Sequence, residues 1–226
     1  MLKWLLHILK EITMEQHKIC FVTGHRPGSF PWDYYDKECA AHKDYLKTMH
    51  DYIKKLITEQ GFDYFICGGA IGVDTDFAQT VLSLKKKYKN IQLEIAVPCE
   101  DQDLKWTAED KAVYHKILKK ADVVTVLAKK YTPSCMMARN RYMVDKSDFG
   151  MAFWYSKQKK GGTYATIRYV EKIGKPYELF GLYEFTDEHK KIAAFLESIP
   201  NRVPINDDDI PPFPFKDKPF PKKGKK

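Results

Sequence analysis

The N-terminal apolar stretch, Met1–Lys10, is broken by Lys3, His7 and Lys10. It is too short to span a bilayer and lacks a small-residue cleavage site, so no transmembrane segment is expected. Leu2, Leu5, Leu6, Leu9 and Ile12 fall on one helical face. Residues 1–16 therefore read as an amphipathic helix that docks on the domain, on a partner or on a membrane surface, with Met14 as an alternative start. Cysteine is scarce: Cys20, Cys39, Cys67, Cys99 and Cys135 are far apart and include no C-x-x-C pair. An odd number of such residues in apolar surroundings points to reduced thiols, a cytoplasmic location and no metal site. No internal repeat is present, and nothing forms a supported Ser-His-Asp or Cys-His arrangement. The folded body also lacks a charge excess. Of the formal +8, the segment Lys216–Lys226 carries six lysines against one aspartate, leaving the rest near balance. Such a tail attracts polyanions weakly and without sequence preference; it does not make a sequence reader.

With 44% hydrophobic and 14% aromatic residues, the 226-residue chain has enough to bury a core, which excludes global disorder. Apolar strand patterns at His17–Gly24, Asp63–Ile66, Gln92–Pro98, Asp122–Ala128, Phe149–Tyr155 and Tyr177–Phe180 alternate with helical patterns. The helices are expected from Lys37 to Gln60, from the glycine turn to Tyr88, from Thr107 to Lys120, over Ala138–Lys146, and from Gly161 to Ile173. This alternation predicts an α/β fold: a Rossmann-like parallel sheet with helices on both faces, over residues 17–182. The fourth strand is nearly all apolar, as a strand covered on both faces should be. A further helix is expected within residues 183–200. Seven of the twelve prolines fall from Pro200 onward, so residues 201–226 read as an extended or disordered Pro/Lys-rich tail.

Cys67-Gly68-Gly69-Ala70-Ile71-Gly72-Val73-Asp74 joins the second strand to a helix. It matches neither G-x-G-x-x-G nor a Walker A loop, yet a glycine-rich turn at a helix N-terminus exposes backbone N–H groups that suit phosphate. In parallel sheets ligands sit at the carboxyl ends of the strands. Three other regions bring polar chemistry to that edge: Thr23, Gly24, His25 and Arg26; Gln102 and Trp106; and Arg139, Asn140, Ser147, Asp148, Gly161, Gly162 and Thr163. Each has a plain alternative. Arg139, at a helix start, suits either a phosphate or a salt bridge to Asp145 or Glu100. His25 and Arg26 either bind or decorate a turn, and Trp106 and Trp32 either stack on a base or pack. Asp74 is favourable in a first helical turn without any function. Beside a phosphate, it instead calls for a ligand that presents hydroxyls, as ribose does. Asp76 reads as a capping or surface acid, and His42, His50, His115 and His189 as surface residues. Gly72→Val is expected to remove nucleotide binding and leave the fold largely intact.

Together these motifs resemble the SLOG superfamily of Rossmann-like nucleotide-binding proteins, and within it the bacterial YpsA-like branch. The superfamily also holds the Lonely-Guy-type phosphoribohydrolases and the DNA-processing protein A core. The likeness rests on T-G-H-R-P (Thr23–Pro27), G-G-A-x-G-V-D (Gly68–Asp74), Pro98 with Gln102 and Trp106, R-N-x-x-M-V-D-x-S-D (Arg139–Asp148) and G-G-T (Gly161–Thr163), over residues 17–180. It implies a nucleotide or ADP-ribose-like ligand with phosphates on the glycine turns and ribose near Asp74, and no required cofactor. It also admits a homo-oligomer. A sensor or ligand-capturing role is expected first. The resemblance also implies an N-glycosidase alternative using Asp74 and Arg139, and a single-stranded nucleic-acid-binding alternative. Arg139 matches the phosphoribohydrolase arginine, but the catalytic glutamate position of that branch falls on Thr166. A hydroxyl cannot replace a carboxylate there, so Asp74 or Asp148 would have to serve; Glu171 lies two turns further along.

Overall fold

The computed structural model describes residues 17–155 and 159–198. The expected helix at 1–16 and the tail at 201–226 lie outside them. Contacts divide the chain into units of residues 1–190 and 191–226; of the second, only the end of the last helix and Ser198 are described.

In chain order the elements are β1 (Ile19–Gly24), α1 (Ala40–Gln60), β2 (Tyr64–Cys67), α2 (Val73–Leu84), β3 (Gln92–Val97), α3 (Ala108–Lys120), β4 (Val123–Val126), α4 (Cys135–Lys146), β5 (Phe149–Trp154), α5 (Gly162–Lys172), β6 (Tyr177–Gly181) and α6 (Asp187–Glu197). The six strands form one sheet in the order β4-β3-β2-β1-β5-β6, every neighbouring pair parallel. The chain thus builds outward from β1 to β4, then returns to lay β5 on the other flank of β1. That reversal opens a crevice at the carboxyl ends of β1 and β5, where open α/β sheets bind ligands.

Alternation along the strands sends residues to two cores. Cys20, Val22, Phe65, Cys67, Leu93, Ile95, Met151 and Phe153 pack with α1 and α2 through Tyr45, Met49, Ile53, Leu56, Phe77 and Val81. Phe21, Ile66 and Ala96 point the other way, against Met143 and Val144 of α4 and Val170 of α5. Thr107 caps α3 by accepting the Asp110 amide at 3.1 Å, as its residue type led one to expect. All five cysteines are free thiols, and no described helix is long and apolar enough to cross a membrane.

Four places in the fold differ from what the sequence suggests or leaves unread. The fourth strand is not covered on both faces: it is the sheet edge, and Val124 and Val126 are 43% and 48% exposed. A continuous apolar run does not distinguish a central strand from an edge one. Asp76 is not a surface acid. It is buried and accepts hydrogen bonds from the hydroxyls of Tyr34 and Tyr45, at 3.0 and 3.1 Å. His42 is not a surface residue either; it is wholly buried, receiving Trp32 Nε1 at 3.2 Å, with Tyr34 and Tyr45 ringed about it. Trp32 packs there against Phe30 and Tyr45. The fourth concerns Glu94, in the middle of β3, which drew no attention in the sequence. It is fully buried and takes Tyr64, Thr125, Tyr142 and Lys146 as donors. Burial raises its pKa, but these four partners outweigh burial and hold it below the usual carboxylate range.

Candidate functional site

The loop after β1, the turn after β2, α4 and the start of α5 enclose a cavity of about 360 Å³. Its walls carry Thr23, Gly24, His25, Arg26, Asp74, Arg139, Asn140, Gly161, Gly162 and Thr163. Ten of the residues named from the sequence therefore meet at the reversal point between β1 and β5.

The glycines bring the segments together. Gly72 has φ +106°, and a Cβ there would lie 2.4 Å from the His25 carbonyl oxygen. That carbonyl accepts the Val73 amide at 3.2 Å, so the two loops join backbone to backbone. Gly24 packs as closely on the Val73 side chain. A valine at Gly72 would therefore strain the backbone and part the loops, which argues against a clean loss of binding with an intact fold. Gly68 makes room for a different group: a Cβ there would fall 1.4 Å from Arg139 Nη1. Only the missing side chain lets the guanidinium lie against the turn.

Arg139 sits in the second turn of α4, which starts at Cys135 instead of the expected Ala138, so no exposed helix start explains the cation. It is 6% exposed and pairs with neither Asp145 nor Glu100. Nη1 lies 3.7 Å from Asp74 Oδ2 and has no hydrogen-bond partner. Nε donates to Asn140 Oδ1 at 2.8 Å, Asn140 Nδ2 donates to Thr166 Oγ1 at 2.7 Å, and Thr166 donates to the Gly162 carbonyl at 2.8 Å. This chain of side chains ties Arg139 to the start of α5. Thr166 is buried and committed on both sides, which no spacing in the sequence revealed.

Asp74, in the first turn of α2, is 7% exposed and accepts the Ala70 amide at 3.2 Å. Burial raises its pKa, and Arg139 opposes the rise. Burial lowers that of Arg139, and Asp74 opposes the fall. Each charge is thus costly alone and tolerated because of the other. α5, which also lines the cavity, begins with Gly161 at φ +90° and no side-chain cap, so its first amides are available to an anion. Thr163 Oγ1 donates to the Gly24 carbonyl at 2.8 Å and locks this turn to β1.

The remaining candidates serve elsewhere. Gln102 is not on the cavity wall; its Nε2 donates to the Gly68 and Gly69 carbonyls at 3.3 and 3.5 Å and holds the turn from outside. Trp106 packs edge-on against Tyr114, centroids 5.1 Å apart, and does not face the cavity. Ser147 and Asp148 precede β5 and so lie at the amino edge of the sheet, away from the site. Ser147 Oγ donates to the Met143 carbonyl at 2.7 Å, and Asp148 Oδ2 accepts the Ile19 amide at 2.8 Å. The expectation that Ser147 and Asp148 reach the same edge as Arg139 is thereby corrected, because α4 carries the chain from one edge of the sheet to the other between them. Glu171 is committed on the surface to Arg168 at 2.7 Å.

The YpsA family model, described as the YspA SLOG family, matches residues 20–194. The chain is 32% identical over 143 residues to the SPbeta prophage-derived protein YoqJ of Bacillus subtilis, covering 58% of this chain and 82% of YoqJ. It is 30% identical over 165 residues to a UPF0398 protein of Bacillus cereus, covering 70% and 85%, and 29% identical over 139 residues to one of Halalkalibacterium halodurans, covering 60% and 73%. Among solved structures, DNA processing protein A from Streptococcus pneumoniae aligns with a TM-score of 0.50 at 15% identity. The alignment covers 80% of this chain and 57% of that protein, a likeness of fold alone.

Proposed function

We propose that this chain, which belongs to the YspA SLOG family, binds a nucleotide or ADP-ribose-like ligand in the cavity between β1 and β5 and acts as a sensor or ligand-capturing protein. The observation that carries this reading is the division of charge within the cavity. Asp74, a buried acceptor, and Arg139, a buried donor with an unpartnered Nη1, line the cavity together with the uncapped start of α5. A phosphate fits the α5 amides, with the cations Arg26 and Lys160 also lining the cavity. Sugar hydroxyls fit Asp74, which would repel a phosphate placed directly on it. Of the two glycine turns, the one at Gly161–Gly162 is therefore the phosphate site, and the one at Gly68–Gly72 serves the sugar and Arg139.

Hydrolysis of an N-glycosidic bond is the weaker reading. Thr166 stands where the phosphoribohydrolase glutamate would, and its hydroxyl is occupied by Asn140 and Gly162. Asp148 is at the far edge and Glu171 faces Arg168, so Asp74 is the one candidate carboxylate on the cavity wall. Nucleic-acid binding has less support still, since the cations of the site line one cavity of about 360 Å³ and form no extended basic track among the described residues.

Calorimetric titration of the full chain with AMP, ADP and ADP-ribose, with chromatography of each mixture after incubation, tests the reading. Saturable binding of at least one ligand without release of free base is expected. Base release that Asp74→Ala abolishes would replace it with the hydrolase, and no binding of any of the three would overturn it.

A further inference from the structure

His25 is 6% exposed and lines the cavity, yet its Nε2 is buried with no hydrogen-bond partner. The ring is hydrogen-bonded to the backbone of Tyr155 in a way that favours a protonated nitrogen. With Nε2 free, that bond belongs to Nδ1, which donates to the Tyr155 carbonyl. The neutral tautomer so fixed leaves the lone pair on Nε2, making it an acceptor. Burial keeps the ring neutral by lowering its pKa, and among the described residues the other ionisable groups lining the cavity are the cations Arg26, Arg139 and Lys160 and the carboxylate of Asp74.

The position of this acceptor gives it meaning. Asp74 follows Val73, whose amide donates to the His25 carbonyl at 3.2 Å. The two residues thus stem from backbone segments held together by one hydrogen bond, an approach so close that a Cβ at Gly72 would collide with the His25 carbonyl. One cavity is thus lined by two buried acceptor residues, a carboxylate and an imidazole. A sugar that presents two adjacent hydroxyl donors would satisfy both.

We propose that His25 reads the ribose: its Nε2 accepts one hydroxyl of the ligand's cis-diol while Asp74 accepts the other, so the site selects ribonucleotides over deoxyribonucleotides. This rests on the nucleotide reading above and adds the class of sugar to it. A site built to pair a hydroxyl rejects the analogue that lacks it, because a buried acceptor is then left unpaired. Losing one such pair costs about ten- to a hundredfold in affinity. The side chain can be replaced without touching the loop junction, which uses the His25 carbonyl alone.

The test titrates ADP, 2′-deoxy-ADP and 3′-deoxy-ADP into the wild type, His25→Phe and His25→Gln, with inorganic pyrophosphate as a sugar-free probe. The wild type is expected to prefer ADP over at least one deoxy analogue by about tenfold or more. His25→Phe should bring ADP down to the level of that analogue while leaving pyrophosphate unchanged, and His25→Gln, which keeps an acceptor, should retain part of the preference. Wild-type binding of all three nucleotides with equal affinity would overturn the inference and leave the nucleotide reading standing. So would a preference that survives His25→Phe, or a His25→Phe loss shared equally by pyrophosphate. Failure of every nucleotide to bind the wild type would overturn both.

Discussion

Asp74 Oδ2 and Arg139 Nη1 stand 3.7 Å apart, an ion pair without a hydrogen bond, both side chains more than nine-tenths buried. At that separation the pair offsets the burial of each charge but leaves Nη1 able to take a further acceptor, which is the arrangement a ligand site needs.

The first expected outcome concerns this pair. Removing one partner of a buried ion pair leaves the other uncompensated, at a cost of about 3–5 kcal/mol. Asp74→Asn or Arg139→Met alone should each destabilise by that order in urea unfolding. The double variant should cost clearly less than the two singles together. Additive losses would show that the charges do not compensate each other.

Three glycines should behave in three ways, read by urea unfolding together with ADP titration. Gly68→Ala pushes only on the end of Arg139; stability should fall by about 1–3 kcal/mol as the guanidinium is displaced, and ADP affinity should fall with it. Gly161→Ala meets open space but keeps φ +90°, a backbone strain of about 1–2 kcal/mol, with ADP affinity falling because the α5 amides are re-aimed. Gly72→Val meets backbone at 2.4 Å and should compromise folding itself. Equal stability for all three would contradict the assignment of distinct jobs.

Thr166→Val keeps the shape of the side chain and deletes its hydroxyl. Asn140 Nδ2 then loses its acceptor, with an expected cost of about 1–3 kcal/mol, and Arg139 loses its indirect anchor to α5. ADP affinity should drop even though Thr166 does not line the cavity. Unchanged affinity with reduced stability would limit the Asn140–Thr166 link to a structural role.

A fourth outcome lies outside the ligand site. Burial pushes the pKa of Asp76 up to about 6, against the pull of Lys37 and the two tyrosine hydroxyls. Burial, with Lys37 beside the ring, pushes that of His42 down to about 4; Trp32 Nε1 donates to Nδ1, so protonating that nitrogen would set N–H against N–H. The folded state holds the Asp76 proton more tightly than the unfolded state does, so this residue makes stability fall as pH rises from about 4 to about 6. His42 does the reverse: its contribution is complete above about 6.5 and is lost as pH falls toward about 4. Each effect is on the order of 2–3 kcal/mol, and the two largely cancel. Asp76→Asn should therefore give stability that rises from pH 4 to 7 more steeply than the wild type, and His42→Gln stability that falls, in urea unfolding at several pH values. Parallel pH profiles for all three proteins would rule this balance out.

Alternating apolar strands and amphipathic helices were enough, by themselves, to determine the parallel α/β sheet, the order of its elements and the edge that carries the site. The glycine turns were legible because positive φ and close backbone approach leave few other residues possible. Thr23, His25, Asp74, Arg139 and the Gly161–Thr163 turn line one cavity for that reason, since loops at one sheet edge converge whatever lies between them. Edge and centre were not legible, because β4 at the rim and β2 inside share the same apolar composition. Nor were the fates of polar side chains, which depend on what the tertiary structure packs beside them. Asp76 and His42 are surface types carried inward by the Tyr34–Tyr45 cluster, and Asp148 belongs to the far edge because α4 spans the sheet before reaching it. Gly68 opposite Arg139, and His25 joined to Val73, are contacts across tens of residues. Only folding sets such distances, and on them depends whether two charges compensate or two acceptors can share one sugar.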